Sequence, residues 1–171
     1  MAFPVPPDVR GTRDFELVLG QDELLRQSMP VEDPAASVDV GEWMKPVDVS
    51  GVTKAKKLET GVDTLAAPAL GAKVSWTKYR QGDSNLGQSD AMATGTVDLL
   101  SGTYQAKTKL YNTGAGGLLA PGNLVVATFQ TDKGQLDVLD PATATVRQLQ
   151  AVVGRILSVA NGQMHYEAPG L

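Results

Sequence analysis

His165 is the single histidine of the chain and cysteine is absent, so imidazole acid–base chemistry has one seat and thiolate chemistry none. A serine nucleophile needs that imidazole within hydrogen-bond reach and a third group to orient it. Ser84, in the polar run Gly82-Asp83-Ser84-Asn85, is the serine that invites the pairing. The same residue types also form local turns without any chemistry, and His165, in Met164-His165-Tyr166, reads equally as an ordinary strand residue. One His and no Cys exclude the usual zinc ligand sets. Gly114-Ala115-Gly116-Gly117 is no phosphate loop, because Leu119 occupies the third glycine position of the dinucleotide pattern and no Lys-Ser or Lys-Thr pair follows. A tightly turned loop is the expectation there. Carboxylates are scattered, so a hydrolytic pair brought together by folding stays open. No catalytic, cofactor-binding or metal residue is therefore expected.

Lys54, Lys56 and Lys57 form the compact basic patch, and on a strand Lys54 and Lys56 share one face. A solvated face or a salt bridge to an acidic partner surface fits them better than nucleic acid, which calls for more positive charge and interleaved aromatics. The net charge of −4 and pI near 4.9 point the same way, so no nucleic-acid partner is expected. Gly82-Asp83-Ser84 resembles the Gly-Asp-Ser block of the Ser-Gly-Asn-His esterases, which implies a small serine hydrolase with Ser84 as nucleophile and His165 as base. That family holds its histidine with an aspartate shortly before it. Here Asn161-Gly162-Gln163-Met164 stand in that place, so the orienting carboxylate is missing.

The elements that must position these residues are short strands. At 171 residues one core suffices. Abundant Gly, few aromatics and recurrent Val and Thr predict a mainly β chain, a small β-barrel or β-sandwich-like domain with an extended Pro-rich N-terminal arm. Residues 1–35 carry Pro4, Pro6, Pro7, Pro30 and Pro34 around one short strand, Asp14 to Leu19, and read as the arm. Leu24-Leu25 belongs at most to a single short turn. Residues 36–171 form the β domain, with 117–171 a barrel-like C-terminal unit. Ala72 to Arg80 and Thr103 to Tyr111 alternate as strands, the latter with Tyr104, Ala106 and Leu110 facing in and Lys107 and Lys109 facing out. Gln81 to Asp90 is a surface loop.

Asn123 to Gln130 is a strand, Thr131-Asp132-Lys133-Gly134 a hairpin loop with Gly134 in the left-handed position, and Gln135 to Leu139 the return. Val152 to Val159, Asn161-Gly162 and Met164-His165-Tyr166 form a second hairpin. Pro141 to Gln150 is a short helix capped by Asp140, against which Thr143, Thr145 and Val146 argue. The longest apolar stretches, such as Leu124 to Phe129, fall far short of the ~20 residues of a bilayer span. The N-terminus lacks a basic start followed by an apolar core, so a soluble chain without export signal or membrane partner is expected.

Trp76 alternates correctly for the core. Trp43, in Gly41-Glu42-Trp43-Met44-Lys45-Pro46, sits beside charge near the arm and fits either the core or an interface anchor. With Phe3, Val5, Val9 and Phe15 it makes up the partner-binding set expected from the sequence. A carbohydrate-binding β module that stacks sugars on a row of exposed aromatics has only three Phe, four Tyr and two Trp to draw on.

In layout the chain resembles the head decoration, or cement, proteins of tailed bacteriophages: a Pro-containing arm, a Gly/Thr/Ala-rich β region from Gly41 to Tyr111, then a small barrel-like unit. The residues carrying the likeness are Gly117-Leu118-Leu119-Ala120-Pro121-Gly122-Asn123-Leu124-Val125-Val126, then Ala151-Val152-Val153-Gly154-Arg155-Ile156-Leu157, and the Asn161-Gly162 turn. The resemblance implies a non-enzymatic virion protein that binds the major capsid protein at capsomer junctions on the capsid exterior. It also implies self-association, often as a homotrimer, and assembly in the host cytoplasm. Another virion component, such as a head-fibre base or tail protein, has the same sequence grammar.

Overall fold

The computed structural model describes residues 15–19, 25–33, 38–39, 41–59, 61, 66–68, 96–130 and 133–169. Its elements are β1 (Phe15–Leu19), β2 (Leu25–Pro30), β3 (Trp43–Val49), β4 (Val52–Lys57), β5 (Ala67–Pro68), β6 (Thr96–Ser101) and β7 (Tyr104–Thr108), followed by a 3₁₀ segment (Thr113–Leu118). Then come β8 (Leu124–Gln130), β9 (Lys133–Val138), a single-turn helix α1 (Val146–Gln150), β10 (Val152–Ala160) and β11 (Gln163–Ala168). The protein is mainly β, as its composition predicts.

The main sheet has six strands in the order β1-β7-β11-β10-β8-β9, all antiparallel. It curls until the chain leaving β7 meets β9: Leu136 N–H donates to the Leu110 carbonyl at 3.0 Å and Asn112 N–H to the Leu136 carbonyl at 2.8 Å, a parallel bridge at Tyr111. That seam turns five strands into a barrel and satisfies a β9 edge that would otherwise be open. The barrel thus draws on β7 and its continuation as well as on the 117–171 stretch. Side chains alternate as a one-sided sheet requires. In β7, Tyr104, Ala106 and Thr108 are buried; in β9, Gly134, Leu136 and Val138; in β11, Met164, Tyr166 and Ala168. Inside, Tyr104 and Tyr166 meet edge to face with ring centroids 5.9 Å apart and hydroxyls at 3.3 Å. Burial pushes both phenols well above their usual pKa.

Two smaller sheets, β2-β6 and β4-β3-β5, enclose a second core of Met29, Val31, Val38, Met44, Ala55, Val97 and Leu99. β3 joins the two cores through its pleat, with Trp43 in the barrel cluster and the next residue, Met44, in the other. Within the segment read as an arm, β1 pairs with β7, β2 pairs with β6, and Val31 bridges to Ala55. Leu25, expected at most in a single short turn with Leu24, opens the β2 strand; the strand's apolar side chain Met29 finds a core partner that a local reading cannot see.

Three local expectations need correction. Gly134 lies inside β9, paired with Phe129, so the return strand begins at Lys133. What requires a glycine there is proximity, since a Cβ would lie 1.9 Å from the Trp43 carbonyl oxygen. The helix cap is Thr145 and not Asp140: Thr145 and Gln148 form a reciprocal capping box, whereas Asp140 accepts from Ala142 N–H at 2.9 Å and from the Thr143 hydroxyl at 3.1 Å in a local turn. Leu110, expected inside, is only half-buried, because its backbone is turned to make the seam. The Asn161-Gly162 turn has both residues at positive φ, 53° and 72°, as a two-residue hairpin demands. Ala72 to Arg80 and the Gln81 to Asp90 loop lie outside the described residues.

Candidate interaction surfaces

Of the five side chains expected at a partner interface, the two among the described residues are buried. Phe15 and Trp43 are 5% and 2% exposed and belong to the barrel core. The reason for Phe15 is the β1–β7 pairing, which sets it opposite Thr108 with Gly41 packed against its ring. Trp43 lies 6.4 Å from the Tyr166 ring, and its Nε1 is buried with no acceptor among the described residues. Its charged neighbours misled the sequence reading because Glu42 is itself fully buried. Glu42 Oε2 accepts from Asp39 N–H at 3.0 Å, and Oε1 lies 3.2 Å from Lys57 Nζ. Phe3, Val5 and Val9 lie outside the described residues, as do Ser84 and Trp76. Trp43→Ala is expected to cost about 3–5 kcal/mol of stability, a core-cavity value. Denaturant titration checks this; a loss under 1 kcal/mol, within the range of about ±0.5 kcal/mol typical of surface positions, would return Trp43 to the surface.

The basic patch is largely engaged within the chain. Lys56 Nζ reaches Glu59 at 2.9 Å and Glu32 at 3.4 Å, and Lys57 reaches Glu42. His165 is half-buried, opposite Lys107 in the β7–β11 register, and burial together with that lysine lowers its pKa. Among the described residues no group of three or more His, Cys, Asp or Glu could hold a metal ion, and no helix is long and apolar enough to cross a membrane.

Apolar surface is concentrated at α1. Val146 and Leu149, three apart and hence on one face, are 72% and 53% exposed. Their helix is a single turn, too short to persist by propensity alone. The Thr145–Gln148 capping box fixes its start, and Ala151 N–H closes its end on the Arg147 and Gln148 carbonyls. Arg147 lies between the two apolar residues in sequence. Val52, at 49%, and Leu124, at 40%, are the other large apolar side chains exposed among the described residues.

A polar cleft opens beside the barrel seam, with a volume of about 310 Å³, lined by Tyr111, Asn112, Thr113, Gln130, Lys133 and Gln135. A chain of hydrogen bonds runs along it. Asp137 accepts from Asn112 Nδ2 at 3.0 Å and from Gln130 Nε2 at 2.9 Å, and Gln130 Oε1 accepts from Gln135 Nε2 at 3.0 Å. Asn112 Oδ1 in turn accepts from Gly114 N–H at 2.9 Å, capping the 3₁₀ segment. Lys133 is ion-paired with Asp39. No short stretch of the chain announces this cleft, since its residues come from both strands of the β8–β9 hairpin and from the seam. The outward alternation of Lys133, Gln135 and Asp137 along β9 is the one signal present. No family model, curated protein or solved structure matches the chain.

Proposed function

We propose that this chain is a non-enzymatic virion subunit that decorates the outer surface of an assembled phage capsid at capsomer junctions and stabilises it. The exposed Val146–Leu149 face carries the reading. A capped, rigid turn that holds two apolar side chains in water loses solvation free energy that a partner surface recovers, at about 25 cal/mol per Å² covered. A subunit whose interface exists only in the assembled lattice favours that lattice by mass action. The major capsid protein and further copies of this chain, as a homotrimer, are the partners on this reading.

The paired substitution Val146→Ser with Leu149→Ser is expected to leave the fold intact and to weaken attachment to capsids at least ~10-fold, the effect of losing contacts worth more than about 1 kcal/mol. Co-sedimentation with purified capsids measures it, and undiminished attachment removes the face from the account. Deleting residues 1–13 cuts ahead of β1 and so spares its pairing with β7. A folded domain that no longer attaches is expected; full attachment refutes a role for the arm.

A further inference from the structure

We infer that the cleft beside the barrel seam binds a neutral, hydroxyl-rich ligand, a sugar in chemical class, through the amides of Gln135 and Gln130. This goes beyond the capsid reading and does not rest on it. The argument starts at Asp137. An ionised carboxylate only accepts, so the amides of Asn112 and Gln130 must both turn their nitrogens toward it. The Gln130 oxygen then points away and accepts from Gln135 Nε2. One buried-side anchor thus fixes the orientation of every amide in the row. Left over along the cleft lining are the Gln135 Oε1 acceptor and the second N–H of each glutamine, beside the Thr113 hydroxyl.

Adjacent donors and acceptors on planar, pre-oriented amides suit a sugar hydroxyl, which donates one hydrogen bond and accepts another. Charge selects against ions. Asp137 already accepts from Asn112, from Gln130 and from Val138 N–H at 2.8 Å, and Lys133 is paired with Asp39. The volume of about 310 Å³ falls at the small end of ligand sites and fits one sugar ring with its hydroxyls. Stacking on a row of aromatics is replaced here by amide hydrogen bonds.

The test is titration of the ¹⁵N-labelled full chain with D-glucose, D-galactose, D-mannose and N-acetyl-D-glucosamine, followed by the side-chain amide signals in NMR spectra. At least one sugar is expected to shift the Gln130 and Gln135 signals saturably, with a Kd on the order of 1–10 mM. Gln135→Ala is expected to weaken that binding ~10-fold or more with the backbone spectrum of the barrel retained, and Gln130→Ala tests the same loss from the other member of the pair. The inference is overturned if no sugar moves these signals up to about 100 mM, if both variants bind as the parent does, or if inorganic phosphate gives the same saturable shifts.

Discussion

Gly134→Ala lowers the stability of the chain by more than about 3 kcal/mol, beyond the usual range for one added methyl group. The added Cβ would stand 1.9 Å from the Trp43 carbonyl oxygen and 2.9 Å from its carbon. These are backbone atoms, so no side-chain rotation relieves the overlap, and β3 must move off β9. That movement withdraws the Trp43 ring from Tyr166 and disturbs the pairing of Asp39, upstream of β3, with Lys133, the residue before Gly134. The denaturant midpoint measures the effect. As a contrast, Gly51→Ala, at the exposed turn between β3 and β4, meets nothing within 4 Å and bears only the cost of its φ of +79°. Similar losses in the two variants would show that conformational freedom, and not proximity, is what Gly134 supplies.

Raising the pH from 10 to 11.5 removes about 3 kcal/mol of stability through Tyr104 and Tyr166 together. Both phenols are buried, and burial raises their folded-state pKa, so the native state keeps its protons where the unfolded chain, with a tyrosine pKa of about 10, gives them up. A raised folded-state value means that the contribution is complete below about pH 10 and drains away as the pH climbs toward the folded-state values. Each group contributes about 0.7 kcal/mol per pH unit at pH 10, where half of the unfolded phenols are ionised, rising toward about 1.4 at pH 11.5. The double variant Tyr104→Phe with Tyr166→Phe removes both hydroxyls of the 3.3 Å pair at once and is expected to be near neutral at pH 7. Its stability falls less steeply above pH 10, and the lysines common to both proteins cancel in the comparison. Identical alkaline slopes would contradict the burial of these hydroxyls.

The strands most legible in the sequence are those whose pattern is set by neighbours in the chain. Val152–Ala160 and Gln163–Ala168 follow from alternation and from an Asn-Gly turn whose geometry few other residues tolerate. What escaped local reading depends on distant partners. Gly134 fits a turn on its own preference, but its role is set by a carbonyl at position 43. Trp43 fits either the core or an interface anchor in the sequence because a fully buried carboxylate such as Glu42 beside it is rare, and the partners of that carboxylate, Lys57 and the Asp39 amide, come from other segments. The cleft depends on the registration of Asn112 with Asp137 across the seam, which no short window contains. The sequence places Val146 and Leu149 in a helix, but which side of that helix is left exposed is not encoded in one turn of sequence.

The sheet order β1-β7-β11-β10-β8-β9 also bears on how the molecule is made. β7 is flanked by β1 from far upstream and by β11 from far downstream, so neither of its edges is satisfied by a neighbour in sequence. A ribosome delivers β11 last of the described strands, and until then the nascent chain holds β7 with one side bare and β10 without its hairpin mate. Closure of the ring must therefore wait until translation has passed Ala168, and such long loop closures place the molecule among slow folders, on the millisecond-to-second scale.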